Sequence, residues 1–239
     1  MQGKYSYPIL LASSFLFCIE VSSFSQEEDY KTVFGKDWDN ARSFVTENET
    51  WMRGLSEEYN ISFPIAIAVV FPELIRYSAL RDKMEITLLK SLYTYKGKDY
   101  ADFSVGQFQM KPSFAESIHK NVTFLKGRLK NQFKEKAIKE DIVKYRAGIV
   151  KDLEEPESQF LYLVAFLKIC DALYSLNEMQ EEQRIKFLST AYNYGFRKSF
   201  EEINAMTDKK FFHTNLVRTE SYCYADISWS WYVNYLEKR

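Results

Sequence analysis

The sequence predicts an all-α protein, one globular domain behind a cleaved leader. Glycine is scarce, at 8 of 239 residues, which disfavours glycine-rich folds such as β-barrels and dinucleotide-binding sheets. Apolar residues recur at helical spacing along most of the chain. With 46% hydrophobic and 27% charged residues, the composition suits a packed core rather than a disordered chain. No repeat, linker or composition break marks a second domain, so residues 26–239 read as one unit. Charge narrows the partners: 32 Lys and Arg face 33 Asp and Glu. That balance lacks the basic excess of a protein that binds nucleic acid through its phosphates.

The elements follow in chain order. Lys4 precedes the apolar run Pro8–Ile19, and Ser23 and Ser25 then place small residues before Gln26. This is the pattern of a signal peptide over residues 1–25. The run is too short to span a bilayer, which takes about 20 residues. Cys18 does not make a lipoprotein anchor, because Phe17 stands where a small residue is required. No later stretch is long and apolar enough to span, so the mature protein is expected to be exported, periplasmic or secreted, without a membrane span. Mass spectrometry of the exported protein should find Gln26 at the N-terminus. A retained leader or a lipidated Cys18 would contradict this.

Within the domain, Asp37–Tyr59 carries the helical stripe Phe44, Val45, Trp51, Met52, Leu55 and Tyr59. Ser62 and Pro64 suit the opening of a helix, which Pro72 is expected to interrupt. Asp82–Tyr95 resumes helical spacing, Gly97–Met110 reads as irregular or briefly extended, and Pro112 restarts a helix through Ile118. Lys126–Glu157 is strongly charged, its basic residues crowded at the front (Lys126, Arg128, Lys130, Lys134, Lys136, Lys139). It reads as a pair of solvated surface helices, with attraction to an anionic polymer as the alternative. Ser158–Leu176 should be the central buried helix. Gln183–Tyr194 follows and stops at Gly195, Ser199–Glu202 is a capping box, and Asp226 is expected to cap a last aromatic helix. The aromatics of that helix belong in the core, with sugar stacking as the lesser alternative.

The inventory of reactive groups is short. His119 and His213 are the only histidines, and no metal-ligating cluster or phosphate-binding loop is present, so neither metal nor cofactor is expected. Cys170 reads as a buried thiol, with a Cys170–Cys223 disulfide as the alternative. Carboxylates are left as the carriers of any chemistry.

Three segments stand out together: Phe71-Pro-Glu73-Leu-Ile-Arg, Gly106-Gln-Phe-Gln109-Met-Lys-Pro112-Ser113-Phe-Ala115, and Ala191-Tyr192-Asn193-Tyr-Gly195. In this order they resemble the lytic transglycosylases of the goose-type lysozyme-like superfamily. There a catalytic Glu is followed by Gly-Leu-Met-Gln-Ile-Met-Pro-Ser-Thr-Ala and later by Ala-Tyr-Asn-Ala-Gly. The resemblance spans roughly residues 60–200. Leu74 stands where the family usually has Ser, and Arg81–Ala101 reads as an insertion.

The resemblance implies a lysozyme-like fold that cleaves peptidoglycan glycan strands. Glu73 would be the acid and then the base, and the sugar's own 6-hydroxyl would attack to leave a 1,6-anhydro end. Gln109, Met110, Tyr192 and Asn193 would contact substrate or hold Glu73 in place. The chemistry is coherent with the residues, since a leaving oxygen needs a proton donor. A carboxyl group keeps its proton at neutral pH only in apolar surroundings, and Ile67, Val70, Phe71, Leu74 and Ile75 surround Glu73 in sequence. Most glycosidases use a second carboxylate, for which Asp99 and Asp102 are the candidates. A non-catalytic glycan- or envelope-protein-binding module on the same fold is the alternative. A secreted interaction protein using the aromatic C-terminal helix is a third reading.

Overall fold

The computed structural model describes residues 29–80, 86–137, 140–214 and 220–237. The leader expected over residues 1–25 and its expected cleavage site lie outside them. The described residues are mostly helical, as the composition predicts. In chain order the helices are α1 (Tyr30–Phe34), α2 (Lys36–Glu58), α3 (Phe63–Leu80), α4 (Thr87–Lys96), α5 (Pro112–Lys120), α6 (Gly127–Lys136) and α7 (Ile142–Glu154). They continue with α8 (Pro156–Tyr174), α9 (Glu181–Thr190), α10 (Phe200–Asn204) and α11 (Tyr224–Leu236). A short antiparallel pair, β1 (Lys210–Phe212) and β2 (Tyr222–Cys223), is an addition that the all-α reading missed. Two and three residues are too few to show an alternating pattern.

Two helices form the centre. From Ile65 to Ile75 every residue of α3 is buried, because α2, α11, α9 and α8 pack around it. Pro72 sits inside this helix without ending it, contrary to the sequence expectation. Proline removes the bond to the carbonyl four residues back, at roughly 3 kcal/mol. Burying one large aliphatic side chain contributes about 1.5–3 kcal/mol. Phe71, Leu74 and Ile75 are all buried beside the proline, so the packing outweighs the local loss. The second central helix is α8, whose Phe160, Leu163, Val164, Leu167 and Cys170 are buried as expected, together with Phe166, while Leu173 near its end is exposed. It touches α2, α3, α5 and α7.

The remaining helices dress this centre. The charged stretch folds as α6 and α7, with Lys139 lying outside the described residues. Arg128 pairs with Glu58 at 2.8 Å and Lys136 with Asp152 at 2.6 Å, while Leu129, Phe133, Tyr145, Ile149 and Leu153 turn inward. Ser199 and Glu202 form the predicted capping box at the start of α10. In α11 the cap position belongs to Cys223, not Asp226. Asp226 lies within the first turn and pairs with Lys186 of α9 at 3.0 Å, so it ties two helices together where a cap was expected. Trp231 and Tyr232 of α11 are buried against the core, while Trp229 and Tyr235 are half-buried and Leu236 is exposed. Cys170 and Cys223 are both free and buried. Burial pushes the Cys170 thiol well above its ordinary range. No described helix is long and apolar enough to cross a membrane.

Candidate active site

The site is assembled from four pieces of chain. The exit end of α3 brings Glu73 and Arg76. A tight hairpin follows, in which the Val105 and Met110 backbones exchange two hydrogen bonds of 3.0 and 3.1 Å around the turn Gly106–Gln109. The start of α5 supplies Ser113 and Phe114. After α9 the chain widens into a π-turn, Ala191–Gly195, a distortion often found at functional positions. Between these pieces lies an open cavity of about 530 Å³, a volume suited to a small-molecule or oligosaccharide site.

Glu73, Gln109, Met110, Tyr192, Asn193 and Asp102 all line this cavity, so three segments far apart in sequence meet around one carboxylate. Glu73 is only 3% exposed. The Asn193 side-chain amide donates to its Oε1 at 3.1 Å. The Arg76 Nη1 donates to both carboxylate oxygens at 2.7 Å. Arg76 itself opens onto the cavity and stacks over the Phe212 ring at 4.5 Å.

Tyr192 is buried and donates to the Phe108 carbonyl at 2.8 Å. Burial first, and then the Glu73 charge, hold its phenol well above the ordinary tyrosine range. It therefore acts as a neutral donor that joins the π-turn to the hairpin. The phenol of Tyr224 is raised in the same way, by burial and then by Glu73. Its hydroxyl donates to the Val69 carbonyl at 3.3 Å. The Tyr192 ring packs against Phe114 and Phe166 with centroids at 5.1 and 5.5 Å, so it is also a core aromatic.

Gln109 both lines the cavity and serves its own loop. Its Nε2 donates to the Gly106 carbonyl at 2.9 Å, and its backbone takes the left-handed conformation at φ 48°. Asp102 is on the wall, but both of its oxygens are engaged. They accept from the Ser113 backbone N–H at 3.0 Å and the Ser113 hydroxyl at 2.7 Å, which satisfies the open N-terminus of α5. Asp99 does not line the cavity. It is exposed and paired with Lys98 at 3.0 Å.

Two residues of the site escaped the sequence reading. Arg76 had a signal, since a cation three residues after a helical carboxylate lies on the same face. Gln159 is fully buried in α8 and bonded to the hairpin; its signal was a lone amide at the head of an apolar helix. At the cavity rim, Lys111 and Arg197 add exposed positive charge and Tyr194 a partly exposed ring. No protein family, curated protein or solved structure matches this chain.

Proposed function

We propose that this chain is an exported enzyme of lysozyme-like fold that cleaves peptidoglycan glycan strands, with Glu73 as acid and then base. The observation that carries the reading is the buried Glu73 carboxylate on the wall of an open cavity, with Asn193 on one oxygen and Gln109, Met110 and Tyr192 around it. In this reading a proton passes from Glu73 to the glycosidic oxygen between N-acetylmuramic acid and N-acetylglucosamine, and the bond from that oxygen to the muramic C1 breaks. The sugar's 6-hydroxyl then bonds to C1 and returns its proton to Glu73. One group serves both steps, so no second carboxylate is needed. That agrees with Asp99 standing outside the cavity and Asp102 being committed to Ser113.

One observation favours a second reading, a glycan-binding module without catalysis. Both Glu73 oxygens accept from Arg76, so the carboxyl group is held in an ion pair rather than turned toward a substrate. Catalysis then requires Arg76 to leave Glu73 when the strand enters, and its opening onto the cavity provides room for that. Incubating purified sacculi with the protein separates the two readings. Soluble muropeptides in the supernatant support catalysis, whereas sedimentation with the sacculi and no release supports the binding module.

The basic front of α6 is assigned to solvent, since it does not line the cavity and two of its cations are already paired. Exposed surface charges contribute little, so replacing Lys126, Lys130 and Lys134 by Gln should leave sacculus binding within about twofold at low salt. A larger loss that vanishes as salt rises would mean that this face holds the anionic wall.

A further inference from the structure

Gln159 does more than fill the core. Its side chain is fully buried at the start of α8 and reaches across to the hairpin that carries Gln109 and Met110. Nε2 donates to the Val105 carbonyl at 2.5 Å and to the Leu153 carbonyl at 2.8 Å, while Oε1 accepts from the Phe108 N–H at 3.1 Å. One amide thus grips both sides of a six-residue hairpin and anchors it to the last turn of α7. Such a grip is worth keeping only if complete, because a buried donor or acceptor left without a partner costs about 1–3 kcal/mol.

The fit also explains a motif glycine. Gly106 lies directly on the Gln159 amide at φ 65°, and a Cβ there would overlap the amide atoms. The hairpin in turn fixes two contacts at the cavity. Gln109 is set by the turn it closes, and the Phe108 carbonyl accepts from the Tyr192 hydroxyl at 2.8 Å.

We infer that Gln159 is the positioning residue of the cavity, setting the 105–110 hairpin so that Gln109, Met110 and Tyr192 face the glycan. The catalytic part of this inference rests on the function proposed above. Gln159 touches no substrate and acts only through the hairpin.

The test combines a mutant cycle with amide hydrogen exchange on the full chain. Gln159→Leu keeps the volume apolar but removes the grip. Misplacing contact groups by an ångström can cost about 10²-fold, and a fall of that order in muropeptide release is expected. Because Gln159 acts through Gln109, adding Gln109→Ala to Gln159→Leu should lower release by much less than the product of the single losses. Gly106→Ala reaches the same end from the hairpin side, and it keeps the test open if the α8 variant folds poorly.

Exchange should accelerate at the Phe108 and Met110 amides, by at least about tenfold more than at Phe166 in the same helix as Gln159. Losses that multiply, uniform acceleration across the core, or hairpin amides unchanged in both variants would each overturn the inference. A wild-type chain that releases nothing would instead defeat the function proposed above, and exchange would still decide whether Gln159 holds the hairpin. Wild-type release that Glu73→Gln abolishes and Gln159→Leu leaves intact would defeat the positioning role alone.

Discussion

Glu73→Gln should remove nearly all muropeptide release while leaving the protein folded. The amide keeps the length of the side chain and an oxygen that accepts from Asn193, but it has no proton to deliver and takes none back. General acid–base catalysis contributes roughly 10²–10⁴-fold, and here one group would carry both steps, so the loss should reach at least that range. The change also takes the negative charge from Arg76, whose Nη1 lies 2.7 Å from both oxygens. A hydrogen bond to a charged group contributes about 1.5–3 kcal/mol. A loss of stability of up to that size is therefore expected, read as a lower melting temperature with the circular dichroism of the folded state unchanged. Asp102→Asn gives a useful contrast, since it weakens the hold on Ser113 at the start of α5. Its cost should fall on stability, about 1 kcal/mol as for other lost caps, with little change in rate. Release that survives in Glu73→Gln, or fails in Asp99→Asn, would move the chemistry elsewhere.

Phe166→Ala should cause the largest loss of stability among single changes near the site. The ring is fully buried in α8 and meets Phe114, Tyr192 and Phe196 with centroids 5.4–5.7 Å apart. Truncating a buried Phe costs about 3–5 kcal/mol, from lost transfer energy and the cavity left behind. Against a typical total of 5–15 kcal/mol, that is a large fraction, and the denaturation midpoint should fall accordingly. The three rings it supports belong to or border the cavity wall, so residual activity at low temperature should fall as well. A change below about 1 kcal/mol would show that this cluster is loosely packed.

What was legible in the sequence followed from local rules. The stripe of α2, the apolar run of α8 and the Ser199–Glu202 box each depend on neighbours within a few residues, and each is present in the structure. What was missed depended on distant chain. Pro72 fails to end α3 because α2, α8, α9 and α11 enclose it. Asp226 abandons the cap position for Lys186 on another helix. The β1–β2 pair joins residues that no short window connects.

The same division holds at the site. Glu73, Gln109, Met110, Tyr192 and Asn193 were found from three motifs, and the cavity brings them together. Of the two candidates for a second carboxylate, Asp102 lines the cavity, while Asp99 is exposed and paired with Lys98. Gln159 went unnoticed because its partners, Val105, Phe108 and Leu153, are recognised only once the hairpin has folded onto α8.

If Glu73 drives cleavage without water, the ends of the released glycan show it. Sacculi digested with the wild-type protein should yield muropeptides ending in 1,6-anhydro-N-acetylmuramic acid, each about 18 mass units (one water) lighter than the hydrolysed product, because the 6-hydroxyl of the same sugar attacks C1 in place of water. Products with ordinary reducing ends would contradict that account and call for a second group to activate water.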